Sequence, residues 1–397
     1  MTDSEIPYTP SWLRSLLLGL SQIFAWGGSF FLMAVLIGPV TKETGWPSSW
    51  VYGSLSLSIF ISGLLAPSVG RQIARQRGKA ILMHSGWVIG AGLVVVGLAP
   101  VLPLFILGWC LIGVGMSMGL YDALFATLGQ QHGLEAKKII PHITLISGFA
   151  TTITWPSLAW LIEQFGWRHT CTGYAVFLST ILPILYHWGC RGQTIPQTIQ
   201  TQHHASSSGL STENQLMFRW VVINFMIAAV LMTAISVQLL SILQAKGLTL
   251  KAAIQLGALI GPCQVGVRLL DLMGPKKHPI WSALISSILV LVGLLLLGLD
   301  VSLATIGVVL YSLGNGIRSI LRGTLPLELF GPESFAVVLG RLARPALIAQ
   351  ALTPLLGGYL VQHGGPLTLL AVLAALAFLN IGVTVAIKQQ MTPRLSH

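Results

Sequence analysis

The chain has 397 residues, of which 54% are hydrophobic and only 8% charged, with a mean hydropathy of +0.79. A soluble globule carries about 25% charged residues, so the composition excludes one and marks a polytopic membrane protein. The formal charge of +11 is spread over short links between apolar runs, which fits membrane-proximal loops and argues against a nucleic-acid partner.

Apolar stretches near the roughly 20 residues needed to cross a bilayer begin near Leu13, Ser48, Lys79, Leu104, Ile139, His169, Met217, Lys251, Pro279, Val301, Ser334 and Pro366. They predict an all-α membrane protein of about twelve spans, six in each of two halves. Residues 1–190 form the first half and 217–397 the second. The polar stretch 191–216, with His203 and His204, reads as a flexible cytoplasmic linker too poor in large apolar side chains to order itself. The opening segment lacks a basic region followed by a small-residue cleavage site, so span one is expected to stay in the protein. Lys and Arg cluster on alternate links, which predicts that both termini and the linker face the cytoplasm.

Span one carries Gln22, Trp26 and Ser29 on one helix face, where they can orient a solute or bond neighbouring helices. The link after span two holds Gly70, Arg71, Arg75, Arg77 and Gly78, a candidate gating loop. Asp122 lies inside span four. An ionisable group at that depth is costly unless it meets water or a partner, so it is a candidate proton site or a structural carboxylate. The glycines of "GVGMSMG", and later of "SLGNG", fit close helix packing. Pro156 interrupts span five.

In the second half, Asn224 and Gln238 on span seven partly answer Gln22 and Trp26. Arg268 and Asp271 are three apart on span eight, hence neighbours on one face, able to couple a proton to an anion or to pair at a gate. Asn315, Arg318 and Arg322 share a face of span ten. The arginines suit an anion, or can pair with Glu328 and Glu333, or reach the headgroups. Arg341 and Arg344 open span eleven as candidates for ion pairs between the halves, and Pro354 follows.

Pro156 in "WPSLAWLIEQFGW" and Pro354 in "TPLLGGYLVQHGG" lie roughly 198 residues apart, and Gln164 and Gly166 recur at that offset as Gln362 and Gly364. Gly113-Val114-Gly115 is answered by Gly314-Asn315-Gly316 at roughly 201, so the chain reads as one six-span unit written twice in the same direction. Cys110, Cys171, Cys190 and Cys263 fall singly on different segments, which predicts neither a disulfide nor a metal site. No cofactor motif and no G-x-x-x-x-G-K-[ST] loop is present, so an ion gradient is the expected energy source.

"LLAPSVGRQIARQRGK" after span two resembles the loop signature of the major facilitator superfamily, with Ala74 where the family usually has an acid. The resemblance implies two six-helix domains and solute transport by alternating access. "FAWGGSFFLMAVLIGPVTKETGW" is similar to oxalate/formate and monocarboxylate carriers. "GLYDALFATLG", "RGTLPLELFGP" and "AQALTPLLGG" are similar to bacterial arsenite and organoarsenical efflux permeases. These resemblances imply a proton-coupled antiporter in a bacterial inner membrane, exporting an arsenical or drug-like solute; the intramembrane charges Asp122, Asp271 and Arg268 are the expected coupling groups, and two halves that cover each other's interface predict a monomer. The alternative is proton-coupled uptake of a monocarboxylate or other small anion, and the alternative class is a non-transporting membrane sensor. No enzyme motif of the H-E-x-x-H or G-x-S-x-G kind occurs.

Overall fold

The computed structural model describes residues 12–190, 212–273 and 278–391, and every regular element within them is a helix. The first half contains α1 (Trp12–Gly27), α2 (Leu32–Thr44), α3 (Ser48–Gln72), α4 (Gly78–Leu98), α5 (Leu102–Gly119), α6 (Tyr121–His132), α7 (Ala136–Ser147) and α8 (Ala150–Gly189). The second contains α9 (Thr212–Ala245), α10 (Leu250–Ala258), α11 (Ile260–Met273), α12 (Pro279–Leu299) and α13 (Val301–Met391). Helix α9 begins within the stretch assigned to the linker; the linker's other residues, with His203 and His204, lie outside the described residues. Several helices are long and apolar enough to cross a membrane, the form in which a chain satisfies its own backbone groups away from water.

The two longest helices are chains of rods joined at glycines with positive φ: Gly166 (75°) in α8, and Gly331 (72°) and Gly365 (77°) in α13. Such a φ costs glycine nothing and strains other residues, so these positions reverse the chain. Gly166 and Gly365 occupy the same place in the two halves. The glycine matching Gly166 is therefore Gly365, one residue beyond the Gly364 that the sequence pairs with it.

Other breaks fall inside the spans. Helix α5 ends at Gly119, Leu120 is extended (φ −83°, ψ −177°), and α6 restarts at Tyr121. Gaps between α1 and α2, α7 and α8, and α10 and α11 divide three further spans in the same way. Broken helices inside a membrane leave free backbone groups that must find partners, and they commonly frame solute sites.

Packing repeats the duplication in finer detail. Gly92 and Gly108 touch backbone to backbone where α4 crosses α5, and Gly293 and Gly307 do the same where α12 crosses α13; at each of the four positions a Cβ would meet a carbonyl oxygen or an amide nitrogen at 2.4 to 2.8 Å. Close contact of this kind is what holds helices together when lipid is as apolar as the side chains. Gly113 is likewise pressed against Ser58 and Gly314 against Ser286. The first and sixth rods are tied alike in both halves: Gln22 Nε2 donates to Tyr186 Oη at 3.0 Å, and Asn224 Nδ2 donates to Thr384 Oγ1 at 2.9 Å.

Two cations cap the third rod of each half. Arg168 Nη1 donates to the carbonyls of Gly97 and Ala99, at 3.2 and 2.7 Å, and Lys246 Nζ donates to Gly298 at 3.0 Å and Leu299 at 3.4 Å. The last carbonyls of a helix lack internal partners and carry negative partial charge, which a cation offsets. One hydrophobic core fills the first half and takes in Phe335, Leu339 and Leu347 from α13, and another fills the second half.

Candidate functional site

The break at Leu120 builds the site. It frees the carbonyl of Gly119, which accepts hydrogen bonds from Gln22 Nε2 at 2.9 Å and Tyr186 Oη at 2.7 Å. It also starts a new helix whose first turn contains Asp122, where exposed amide groups favour a carboxylate. Across from it, Arg322 of α13 approaches with its planar fork. Nε donates to Oδ1 of Asp122 at 2.6 Å and Nη2 to Oδ2 at 2.5 Å, a bidentate pair of the strong, charge-assisted kind. The two side chains are 17% and 24% exposed, so solvent still reaches a bond that joins the two halves.

That pair lines a cavity with Trp26, Phe30, Ser62, Ser117, Tyr121 and Gln350. Its volume is about 20 Å³, room for about one water, so a solute fits only after the halves move apart. The aromatic wall is rigidly stacked: Tyr121 lies on Phe125 with centroids 5.1 Å apart, and Trp26 lies 5.4 Å from Tyr121. Tyr121 Oη is 2.5 Å from Ser147 Oγ. The indole Nε1 of Trp26 is buried with no hydrogen-bond partner.

Contacts between the halves continue from this pair toward the end of the bundle that carries the basic links. A Cβ at Gly70 of α3 would lie 2.6 Å from the carbonyl oxygen of Ala336, and one at Gly340 of α13 would lie 2.7 Å from that of Ala66. Gly129 of α6 faces the ring of Phe335, and Lys137 of α7 forms an ion pair with Glu328. Arg268 of α11 reaches into the first half, donating from Nη1 to the carbonyl of Thr144 at 2.6 Å, while its Nε donates to Gly316 at 3.1 Å and its Nη2 to Gln264 Oε1 at 3.2 Å.

Several sequence expectations are corrected here. Asp122 does meet a partner, as its depth required, and that partner comes from the other half. Arg322 pairs with Asp122 and not with Glu328, which takes Lys137; the side chain of Glu333 lies outside the described residues. Arg268 and Asp271 share a helix face but make no ion pair among the described residues: Arg268 is spent on carbonyls, and Asp271 accepts from Ser282 Oγ at 3.5 Å. Gln22 and Asn224 tie helices together within their own halves. Gln238 lies against Gly357 of α13. Arg71, Arg75, Arg77, Arg341 and Arg344 are exposed, and none forms an ion pair between the halves among the described residues. Glycine contacts do that closing instead, while Gly78 packs on Thr127 within the first half. Pro156 is exposed on α8 and Pro354 partly buried on α13, both within helices.

Arg318 has a different fate. It lies one turn from Arg322, beside Asn315, and its terminal nitrogens Nη1 and Nη2 are both buried with no hydrogen-bond partner. Tyr311, two turns before it on the same helix, sends its hydroxyl to the carbonyl of Leu231 at 3.4 Å.

Sequence reasoning missed Tyr121, Ser147 and Gln350 in the cavity region. "GLYD" did hold a signal for Tyr121, since a helix that restarts just before Asp122 puts Tyr121 at the break. The four cysteines are free, and no group of His, Cys, Asp and Glu suited to a metal occurs among the described residues.

No protein-family profile and no curated protein matches the chain in sequence. Solved structures do match in fold. FucP, an E. coli fucose:proton symporter of the major facilitator superfamily, in the outward conformation, aligns with a TM-score of 0.74 at 13% identity, covering 95% of this chain and 98% of that one. The human organic anion transporter MFSD10 (TETRAN) aligns at 0.69 and 13% identity, covering 94% and 97%. The proton:xylose symporter XylE aligns at 0.65 and 14% identity, covering 93% and 92%. The chain therefore has the major facilitator fold, as its sequence resemblance implied.

Proposed function

We propose that the chain is a secondary active transporter that moves a small solute by rocking its two halves about the central cavity, driven by protons exchanged at Asp122. The observation that carries this reading is the solvent-touched Asp122–Arg322 pair between the halves. While Asp122 is ionised, the pair holds the basic end shut. Once protonated, Asp122 loses its charge-assisted bonds, and the remaining contacts at that end, chiefly backbone packing around Gly70 and Gly340, give way more readily. FucP and XylE are named as proton symporters, which supports proton coupling on this fold.

Export of an arsenical or drug-like solute is the direction that the sequence resemblance favours. Cys110, Cys171 and Cys263 stand on separate helices, and Cys190 ends the helix of Cys171, nineteen residues further along, so trivalent arsenic, which prefers two or three thiolates together, would be held by oxygen and apolar contacts instead. Uptake of a small anion is favoured by one observation. Protonating Asp122 leaves the Arg322 guanidinium without its counter-charge, and an anion entering the cavity restores it, so proton and anion travel together. We assign the protein to a bacterial inner membrane as a monomer, with termini and linker on the cytoplasmic side by the placement of basic residues.

Flux into liposomes containing the purified full-length chain, under an imposed pH gradient, tests the reading. Solute movement with proton movement in wild type, and its uncoupling in Asp122→Asn, is the expected result. Ligand binding with no counterflow of any solute would favour a sensor.

A further inference from the structure

Arg318 is the group that the closure described above leaves unused. Its neighbour Arg322 is satisfied by Asp122, and Arg268 by two carbonyls and an amide. Both terminal nitrogens of Arg318 are shut off from solvent and bond to nothing among the described residues. A guanidinium stays charged in a protein, and a buried charge without a partner is strongly unfavourable. No carboxylate forms an ion pair with it among the described residues, and Tyr311, two turns before it on the same helix, sends its hydroxyl to the carbonyl of Leu231.

We propose that Arg318 is the anchor for an anionic group of the solute, a carboxylate or a comparable oxyanion, held by its two terminal nitrogens. The proposal rests on the transporter reading and adds the chemical class of the solute. Three observations support it. Arg318 shares the helix face of Arg322, which lines the cavity. Its free donors are the two terminal nitrogens of a planar fork, the geometry that grips both oxygens of a carboxylate. Its charge is unneutralised, whereas that of Arg322 is already neutralised by Asp122.

The closed geometry assigns a consequence. With a cavity of about 20 Å³, room for about one water, the anion cannot reach Arg318 without displacing side chains. It therefore binds the conformation in which Arg318 is reachable and shifts the population toward it.

The test uses purified full-length protein and thermal unfolding with sodium acetate, sodium oxalate or sodium phosphate, each against sodium chloride at equal ionic strength, with methyl acetate as the uncharged control. At least one of the anions is expected to stabilise the wild type while chloride and the ester do not. Arg318→Gln should weaken that response about tenfold or more, the scale of a lost charge-assisted contact, and Arg318→Lys should restore part of it. Should Arg318→Gln not fold, Asn315→Asp decides: a carboxylate placed three residues from Arg318 occupies the guanidinium from within, raising the unfolding temperature and abolishing the anion response. An anion response that is undiminished in the Arg318→Gln or Asn315→Asp proteins, or no response to any of the three anions in wild type, overturns the proposal. Loss of the transporter reading would look different: anions bind through Arg318, yet no solute shows counterflow in liposomes. Conversely, counterflow of a neutral solute with no anion response overturns the anion site and leaves transport standing.

Discussion

Asp122 and Arg322 stand 200 residues apart in the chain and meet through two hydrogen bonds of 2.6 and 2.5 Å, one half of the protein holding the other. The carboxylate is in place because α5 breaks at Leu120 and α6 starts afresh. The guanidinium is in place because the next residue of α13, Gly323, packs on Phe125 of α6. Neither residue has another ion-pair partner among the described residues.

A double-mutant cycle measures this bond. Asp122→Asn and Arg322→Gln should each lower the unfolding temperature, and the double variant should lose less than their sum. The coupling energy should be about 1.5–3 kcal/mol, the range for hydrogen bonds to charged groups. Additive losses would mean that the pair contributes nothing jointly.

Gly340→Leu places a branched side chain where a Cβ already comes within 2.7 Å of the Ala66 carbonyl oxygen. Overpacking of this kind costs about 1–3 kcal/mol, and here the cost falls on the closed basic end alone. Transport should slow sharply, and a disulfide between cysteines introduced at positions 71 and 341, in a chain freed of its native cysteines, should form less readily. Gly382→Leu, with open space beside its backbone, serves as the control and should leave both readings unchanged.

The Lys137–Glu328 pair is worth less. Its side chains are 27% and 32% exposed, and partly exposed pairs contribute up to about 1 kcal/mol. Lys137→Ala should lower stability by no more than that in dilute salt, with the difference fading as salt screens the charges. A larger loss that persists in high salt would indicate a packing role for the lysine stem.

His278 caps α12 by accepting a hydrogen bond from Ile280 N at Nδ1, 3.2 Å away. Burial, reinforced by Lys137 and opposed by Glu328, holds its pKa below the ordinary histidine value. A depressed pKa means that the folded state resists protonation. Its contribution is thus complete above about pH 6.5 and is lost as pH falls through the lowered value, when Nδ1 gains a proton and stops accepting. Melting temperatures between mildly alkaline and acidic pH should show this loss in wild type. His278→Asn keeps a capping oxygen without the titration and should flatten that part of the profile; an unchanged profile would refute the assignment.

Much of the architecture was legible in the sequence because membrane spans announce themselves by composition, and because Pro156 and Pro354 mark equivalent rods. The glycine repeats "GVGMSMG" and "SLGNG" were legible as packing faces for the same reason. Partners were not legible. Asp122 and Arg322 belong to different halves, and hydropathy holds no information about which buried acid meets which buried base. Arg268 and Asp271 misled because helical spacing brings them to one face, while the carbonyls of Thr144 and Gly316 that claim the arginine carry no side-chain signature. Gln22 and Asn224 could be solute contacts or helix ties by sequence alone, and their partners Tyr186 and Thr384 on the last rod of each half make them ties. The cations on the sparsely charged links, Arg168 and Lys246, found their reason only in the free carbonyls of the third rods.

In the proposed transport cycle the Asp122–Arg322 bond is a proton-operated latch on the basic end. The most direct test is the distance between spin labels at the exposed positions 71 and 341, recorded as pH is lowered, in wild type and in Asp122→Asn. The account predicts that wild type passes from a short to a longer distance as protons bind, and that the variant shows the longer distance at every pH. A wild-type distance indifferent to pH, or a variant that keeps the wild-type pH response, would contradict it.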